Sequence, residues 1–320
     1  MKKLRATLSQ IKHYPNYPGL VIPDTLPWLH FYEKVSSKLN QGEYKHRKDL
    51  LNKIPKTTPE YEIEDQLGYL IADMSKNELV MNAIANAKQQ ANQIDWEEKE
   101  KTSKKAFLLN HKLDLTSPEN EAILKLVLSP EILRPISDYL GSFPILSSAA
   151  LWYSPNKDAR AKGSQLYHLD GEDIKQIKCF LPVDEITSET GPLTILPADV
   201  SDNVYNTLHQ KNEIQRRNTK LEDDIVYQYA QEDQAKQVVG KPGTVAFIDT
   251  CRCYHYGSRT AQKPRLLLHL HFYSAFSKMM PLWGREERAV QAPVANDFTG
   301  ALFNKSHLAF PNARMAKNNK

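Results

Sequence analysis

The pattern of apolar and polar positions changes once along the chain. Between Leu26 and about Tyr139, apolar residues recur near a 3.6-residue period, which predicts amphipathic helices. The stretch 60–90 shows this most clearly, with apolar positions near one helix face at Leu67, Leu70, Ile71, Met74 and Leu79. From Ile145 onward, short apolar runs are separated by clusters of Pro, Gly, Asn and Asp, which predicts β-strands.

One helix is marked at both of its ends. Ser129, followed by Pro130 and Glu131, is typical of a helix start, because proline suits the first turn and an acid suits the amino end. Gly141 is typical of a helix stop. The sequence SPEILRPISDYLG is therefore predicted to be a helix of two to three turns.

These elements predict an α+β fold with a mainly β core, in which a helical scaffold supports a β-barrel. We expect residues 1–140 to form the scaffold and residues 141–306 the catalytic core, packed together as one integrated domain. Residues 200–239 are polar and charged, which predicts an inserted loop or short helices that act as a lid. Residues 307–320 are expected to be a polar tail.

Composition narrows the classes of protein that fit. Hydrophobic residues make up 41% of the chain, which suffices for a core, but no apolar run is long enough for a membrane span. The basic start lacks the apolar run of a signal peptide, so a cytoplasmic location and reduced cysteines are expected. The net charge of +4 is scattered, which argues against a nucleic-acid partner. The oligomeric state is not indicated.

The stretch SQLYHLDGED contains the first candidate metal ligands. His168 and Asp170 lie two residues apart at the end of a predicted strand, and side chains at i and i+2 of an extended chain point to the same side. An imidazole and a carboxylate that converge in this way can share one divalent metal. A third ligand from elsewhere would complete a facial triad of two histidines and one carboxylate.

His255 is the natural third ligand. It follows a Gly-initiated apolar strand within PGTVAFIDTCRCYHYGSR, and another strand begins near Arg265. A facial triad leaves coordination positions open on one side, as a bidentate keto acid and dioxygen require. Arg265 is the candidate to bind the far carboxylate of the keto acid, because a guanidinium offers two parallel donors.

Other interpretations of the same residues stay open. Arg265 could instead pair with Asp249, which would leave Arg259 to bind the carboxylate. A second alternative is a zinc–thiolate site, because Cys251, Cys253 and His255 would share a face of one strand. His269 and His271 share a face with Arg265 and are expected to be pocket or core residues, and Trp152 and Tyr153 are expected to be core residues or to line the pocket.

In order and rough spacing, four blocks resemble the phytanoyl-CoA dioxygenase-like family of Fe(II)/2-oxoglutarate-dependent oxygenases. They are the helix and strand SPEILRPISDYLGSFPILSSAALWYSP, then SQLYHLDGED, then ETGPLTILPADVSD, then PGTVAFIDTCRCYHYGSRTAQKPR, and the resemblance covers about 129–274. The chain departs from the family after His255, where Arg259 to Gln262 replace a common Asn or Ser, and at Leu267, where some relatives have Ser.

The resemblance implies a double-stranded β-helix, a jelly-roll or cupin-like barrel, with His168, Asp170 and His255 as iron ligands. Arg265 matches the family's arginine for the distal carboxylate of 2-oxoglutarate, and Gln165 matches a position that is often Gln. The implied cofactors are Fe(II), the co-substrate 2-oxoglutarate and O2. The implied reaction is hydroxylation of an unactivated C–H bond of a small or medium-sized metabolite, with release of succinate and CO2.

Two other function classes remain alternatives. A catalytically inactive barrel of the same fold could serve as a ligand-binding module, and the His/Asp/His set alone could support a zinc-dependent cupin-like enzyme. Arg265 separates the oxygenase from the zinc enzyme. The basic residues Arg216, Arg217 and Lys220 suggest an anionic small-molecule substrate.

Overall fold

The fold is given by a computed structural model, which describes residues 26–156, 161, 163–171, 173–259, 262–277 and 296–303. The predicted polar tail and the chain start, on which the predicted location rests, lie outside these ranges. Six helices precede the core strands: α1 (Leu26–Leu39), α2 (Gln41–Lys53), α3 (Glu78–Ala91), α4 (Trp96–Thr102), α5 (Glu121–Val127) and α6 (Pro130–Leu140). Within the described part of the chain, no helix combines the length and apolar character needed to cross a membrane.

The predicted boundaries of α6 are confirmed. The helix begins at Pro130, behind Ser129, and it ends at Gly141, whose φ of 72° lies in the left-handed region that glycine adopts at low cost. Its buried side chains pack into the core beneath the large sheet described below.

The helical prediction for 60–90 is wrong in its first part. Residues Tyr69–Asp73 form a strand, β1, and only α3 from Glu78 is helical. Gly68 (φ 69°) precedes the strand, and a Cβ there would lie 2.8 Å from the Cβ of Ala198. The apolar residues of this stretch fit a helical period by chance, while pairing with a distant strand decides the structure. A second strand of the predicted scaffold is β2 (Leu109–Leu113).

The described strands form two antiparallel sheets. The larger has the order β1-β7-β4-β9-β3-β2, with β3 (Ile145–Ser154), β4 (Gln176–Pro182), β7 (Thr244–Ile248) and β9 (Arg265–Tyr273) at its centre. The smaller has the order β6-β5-β8, with β5 (Leu193–Ile195), β6 (Lys236–Val238) and β8 (His255–Tyr256). After β3 the chain repeatedly crosses between the sheets. The α+β class with a mainly β core is confirmed.

The large sheet has a different partner on each face. On one face, Ile177 and Leu268 pack with helix residues such as Val80 and Ile123. The opposite face meets the small sheet, as Phe180 and Ile248 cluster with Leu193 and Ile195. Alternation along each strand produces both faces, because successive side chains point to opposite sides. The residues of β9 at Arg265, Leu267, His269 and His271 therefore face the small sheet.

The segment 200–239 contains short helices, as predicted, and also a strand. Helix α7 (Ala198–Gln210) and the single turn α8 (Asp223–Val226) cluster with Leu169 and Tyr254, which flank the small sheet. At its end lies β6, which pairs with β5. The lid role of this segment and the division of the chain at residue 140 remain predictions. The last described helix is α9 (Asp297–Phe303).

Asp173 is a carboxyl group buried beside other acids. It is 5% exposed, and its Oδ1 accepts a hydrogen bond from the Ile174 amide at 2.8 Å. Burial, together with the neighbouring Glu33 and Asp249, raises the pKa of Asp173 to about 7. The folded state then holds a proton that the unfolded state releases near pH 4. The stability that this group contributes is therefore full below about pH 4 and is lost as pH rises to about 7.

Replacing Asp173 with Asn is therefore expected to flatten the pH dependence of folding stability. The wild type should lose free energy of unfolding between pH 4 and pH 8, by up to about 4 kcal/mol from this group, and Asp173→Asn should lose correspondingly less. Urea unfolding at several pH values measures this. Asp184→Asn is the control, because Asp184 is exposed. Equal pH slopes for wild type and Asp173→Asn would contradict the prediction.

Candidate metal centre

Backbone hydrogen bonds place the three predicted ligands at one point between the sheets. His168 and His255 exchange two antiparallel backbone hydrogen bonds of 3.1 Å, which extends the small sheet by one bridge. The Asp170 amide then donates to the Thr250 carbonyl at 2.8 Å. Since His168 and Asp170 are two residues apart on an extended segment, their side chains point to the same side.

The three side chains converge as a metal site requires. One ligand atom from each of His168, Asp170 and His255 lies within 4.8 Å of the others, and among the described residues this is the one such group of three or more. The Nε2 atom of His168 lies 3.8 Å from Oδ1 of Asp170, and Nε2 of His255 lies 3.8 Å from Oδ2. Two imidazoles and a carboxylate that leave one side open form a facial arrangement.

Both histidines are held with the same nitrogen facing the site. The Nδ1 atom of His168 lies 2.8 Å from the Leu166 carbonyl, and that of His255 lies 3.0 Å from the Cys253 carbonyl. A carbonyl accepts only, so each Nδ1 carries the proton and donates it. This leaves the Nε2 lone pair of each ring directed at Asp170, which is the tautomer that a metal ligand needs.

The charge state of the three groups also suits a cation. Burial lowers the pKa of His168 to about 3, with a further contribution from His255, and burial lowers the pKa of His255 as well. Burial alone would raise the pKa of Asp170, but Lys178 and the two histidines hold it well below its ordinary range. At neutral pH the site therefore has two neutral imidazoles and one carboxylate, and no proton must leave before a metal binds.

The continuous strand predicted to run up to His255 is wrong. Strand β7 ends at Ile248, and a turn follows in which Oδ1 of Asp249 accepts from the Cys251 amide at 3.0 Å. The chain then crosses to the small sheet at His255. This turn also removes the zinc–thiolate alternative, because Cys251 and Cys253 are buried thiols outside the convergent group.

Arg265 is buried against hydroxyl and carbonyl groups. Its Nη1 donates to the Gly191 carbonyl at 2.6 Å, and its Nη2 donates to Oγ of Ser258 at 2.6 Å and of Ser154 at 3.4 Å. Side-chain exposure of the residue is 5% overall, yet Nε has no hydrogen-bond partner. A Cβ at Gly257 would lie 3.4 Å from Nη2, so glycine there leaves one side of the guanidinium uncovered.

No carboxylate within the described ranges pairs with this guanidinium. The alternative that Arg265 pairs with Asp249 is wrong, because the Asp249 carboxylate accepts from Tyr139 Oη and from backbone amides. Burial without a counter-charge lowers the pKa of Arg265 to about 10. A buried cation of this kind is costly unless an anion binds to it, which makes it a candidate ligand-binding group.

Ser258 binds Arg265, and Gln165 binds Ser258. Neither residue belongs to the convergent His/Asp/His group. Ser258 has a φ of 58°, an unusual conformation for a residue with a side chain, and this directs its Oγ to Arg265. Its carbonyl accepts a hydrogen bond from Nε2 of Gln165. The sequence did not single out Ser258 or Ser154, since each becomes a partner of Arg265 only through the pairing of strands.

Arg259, the alternative candidate to bind the far carboxylate of the keto acid, is paired with an acid. Its Nη1 contacts both carboxylate oxygens of Asp223, at 2.7 and 2.8 Å, and its guanidinium stacks 3.2 Å from the ring centre of Tyr256. This pair joins α8 to the loop after β8. Arg259 is thus paired with an acid and is not among the residues that line the cavity described below, and its role as a co-substrate ligand stays a prediction.

Side chains of β4 hold the Asp170 carboxylate in place through hydrogen bonds. Nζ of Lys178 lies 2.6 Å from Oδ2 of Asp170, and Nε2 of Gln176 lies 3.3 Å from the same oxygen. Gln176 also donates to Thr250 Oγ1 at 2.8 Å, and Nε2 of His271 lies 2.7 Å from Gln176 Oε1. Sequence reasoning missed Lys178 and Gln176, although their even spacing from Asp170 on the following strand is a visible signal.

His269 is a buried aromatic partner and not a metal ligand. Its ring stacks on Trp152 with centroids 3.8 Å apart, and Phe180 lies on another side at 5.3 Å. Trp152 faces the cavity, whereas Tyr153 on the opposite face of β3 stacks on Trp96. Trp152 and Tyr153 are neighbours on one strand and therefore point to opposite faces.

A cavity of about 670 Å³ opens onto the metal ligands. Its wall includes the rings of Phe107, Trp152 and Phe180. Among the described residues, four cations and one acid, Asp170, contribute to its lining; the cations are Lys105, Lys178, Lys220 and Arg265. The described part of the lining is therefore electropositive, with an aromatic wall.

The three basic residues predicted to suit an anionic substrate lie in different environments, and the anionic substrate stays a prediction. Lys220 lines the cavity, but Arg216 is exposed away from it. Arg217 is buried and donates to the carbonyls of Asp173 at 3.1 Å and Cys251 at 2.5 Å, so it stabilises the turn after β7. Three adjacent basic residues thus have three different environments, which their spacing alone does not reveal.

Comparison with known proteins finds solved structures that are similar to this one. No protein-family model matches the chain, and no curated protein matches it. EctD from S. alaskensis, in its apoform, is 16% identical with a TM-score of 0.46 over 82% of this chain and 86% of that one. HygX from Streptomyces hygroscopicus, with nickel and 2-oxoglutarate bound, is 15% identical with a TM-score of 0.45 over 69% of this chain and 88% of its own.

A third similar structure is SnoN, a non-heme alpha ketoglutarate dependent epimerase from nogalamycin biosynthesis. It is 14% identical, with a TM-score of 0.43 over 73% of this chain and 93% of SnoN. At these identities and TM-scores, the likenesses assign neither a family nor an activity to this chain.

Proposed function

We propose that this protein is an Fe(II)- and 2-oxoglutarate-dependent oxygenase that hydroxylates an unactivated C–H bond of a small or medium-sized metabolite. One observation carries the proposal: a convergent His/Asp/His group and a buried guanidinium, which no carboxylate of the described residues contacts, line the same cavity. The first suits a divalent metal with open positions, and the second suits the distal carboxylate of a keto acid.

The proposal includes the fold and the family. The chain alternates between two facing antiparallel sheets, with the metal ligands at one end of the inner space, as in a jelly-roll double-stranded β-helix. The four blocks quoted above support membership of the phytanoyl-CoA dioxygenase-like family. The iron ligands would be His168, Asp170 and His255, each with its unprotonated atom facing the others.

Bound at this group, iron with 2-oxoglutarate and O2 supplies the oxidising power for C–H hydroxylation, with release of succinate and CO2. The chain's own residues bind and orient the reactants. Arg265 fixes one end of the keto acid, while Gly191 and Ser258 fix Arg265. The aromatic wall around Trp152 and Phe180 limits the water that reaches the reacting carbon.

Arg265 is also what separates this proposal from its alternatives. A zinc-dependent cupin-like enzyme needs the three ligands but has no use for a buried guanidinium in the same cavity. An inactive ligand-binding barrel has no need to keep two histidines in the metal-binding tautomer. The full set of four residues favours the oxygenase.

The substrate proposed here is a small anion. Lys105 and Lys220 line the cavity in addition to Arg265 and Lys178, so a substrate carboxylate or phosphate would find a cation there. Lys220→Glu is expected to weaken binding of an anionic substrate about tenfold or more, because it reverses a charge in the lining. Arg216→Glu is the matched control outside the cavity. Equal affinities in substrate-binding assays for both variants and wild type would refute the anionic substrate.

The direct test of the function is turnover of the co-substrate. Fe(II)-loaded protein with 2-oxoglutarate in air should form succinate and consume O2, slowly without substrate and faster when a metabolite mixture supplies one. Zinc-loaded protein is the control. Succinate that forms at the same rate with and without the protein would reject the oxygenase and favour a binding module or a zinc enzyme.

A further inference from the structure

Lys178 lies at the end of the cavity that holds the metal ligands. It faces inward from β4, opposite His271 on one neighbouring strand and Ile248 on the other. Its side chain is 12% exposed, it lines the cavity, and its Nζ lies 2.6 Å from Oδ2 of Asp170. The facial ligand set and the carboxylate-binding arginine give Lys178 no role.

We infer that Lys178 is a positioning residue for Asp170 and, at the same time, a second anion-binding group of the centre. It holds the carboxylate through one oxygen, and its ammonium attracts the negative charge of a ligand that binds at the open side of the metal. This inference rests on the proposed metal site and deepens it.

The two carboxylate oxygens of Asp170 differ in the hydrogen bonds that they accept. Both hydrogen bonds that described residues donate to this carboxylate, from Lys178 and Gln176, end on Oδ2. Oδ1 lies 3.8 Å from Nε2 of His168 and accepts neither of them. Lys178 can therefore keep its contact while Asp170 offers its other oxygen to a metal.

The positive charge of Lys178 has opposite effects on the binding of a metal and on the binding of an anion. The two histidines bind as neutral rings, so a divalent metal with Asp170 has a net charge of +1, and a dianionic ligand changes it to −1. The positive charge of Lys178 offsets that negative charge. An ammonium that shares a carboxylate with the metal opposes the metal but favours the dianion, because like charges repel and opposite charges attract at short range.

Lys178 and Arg265 serve different ends of the cavity. Arg265 is six residues from His271 along β9, and His271 pairs with Lys178 across the sheet. At about 3.3 Å per residue, the backbones of the two cations are about 20 Å apart. Neither side chain extends toward the other, because Lys178 contacts Asp170 while Arg265 contacts Gly191 and Ser258. Lys178 is therefore placed beside the metal and Arg265 at the distal end.

The test compares Lys178→Met and Lys178→Arg with wild type in two binding measurements by calorimetry without oxygen. The first titrates Mn(II) into metal-free protein. The second titrates oxalate, and separately 2-oxoglutarate, into Mn(II)-loaded protein. Oxalate is a small dianion that chelates the metal and is too short to need Arg265. Melting temperatures of the metal-free variants monitor folding.

We expect Lys178→Met to bind Mn(II) about threefold more tightly or better, and oxalate about tenfold more weakly or worse, with Lys178→Arg close to wild type for oxalate. A merely structural role would weaken both ligands together, and that result would overturn the inference, as would unchanged oxalate affinity in Lys178→Met. If the wild type binds Mn(II) and oxalate but not 2-oxoglutarate, the proposed function fails while the oxalate series still decides the role of Lys178.

Discussion

Replacing Arg265 with methionine is expected to weaken 2-oxoglutarate binding about 100-fold or more while leaving Mn(II) affinity within about threefold of wild type. The reason is that the guanidinium is the buried cation at the far end of the cavity, and a bidentate charged contact has no neutral substitute. The metal ligands belong to other segments and keep their hydrogen bonds. Calorimetry with Mn(II)-loaded protein in the absence of oxygen measures both affinities.

Arg259→Met is the matched control for this experiment. Arg259 lies on the loop that leads to β9 but pairs with Asp223 and stacks on Tyr256, so its loss should change 2-oxoglutarate affinity by less than about threefold. If Arg259→Met loses the co-substrate and Arg265→Met keeps it, the assignment of the two arginines is reversed. If neither loses it, the keto acid does not bind through a guanidinium in this cavity.

Replacing His168 or His255 with alanine is expected to lower divalent-metal affinity at least about 100-fold, because each supplies one of three ligands. Titration of Mn(II) followed by electron paramagnetic resonance measures the free ion directly. His209→Ala on the exposed side of α7 is the control and should bind as wild type does.

The fold should survive both ligand substitutions. Each histidine side chain is a small part of a β-structure whose core lies elsewhere, so melting temperatures of the metal-free variants should stay near that of the wild type. If His168→Ala and His255→Ala both bound the metal with wild-type affinity, the facial site would be contradicted, because neither histidine would then be needed as a ligand.

The convergence of His168 and Asp170 could be predicted from the sequence because strand geometry is local. Two residues at i and i+2 on an extended segment share a side whatever surrounds them, so the pairing of His168 with Asp170 needed no knowledge of the tertiary structure. The alternation that placed His269 and His271 on the face of Arg265 is of the same kind. Helix α6 was predictable from its proline start and glycine stop.

The features that were missed depend on distant contacts. β1 had a helical pattern and became a strand because β7 pairs with it over a long sequence separation. The turn at Asp249 interrupts the strand predicted to reach His255, since that carboxylate accepts a hydrogen bond from the Cys251 amide that follows it. The roles of Lys178 and Ser258 arise only when strands far apart in sequence lie side by side, which a single sequence does not encode locally.

The most direct test of the central claim is to add Fe(II) and 2-oxoglutarate to metal-free wild-type protein without oxygen and to record the visible spectrum. A weak charge-transfer band that requires both additions is the predicted result, and it should be absent in His168→Ala and need far more 2-oxoglutarate in Arg265→Met. A wild-type protein that binds Fe(II) but shows no band at saturating 2-oxoglutarate would contradict the claim that this cavity binds iron and the keto acid together.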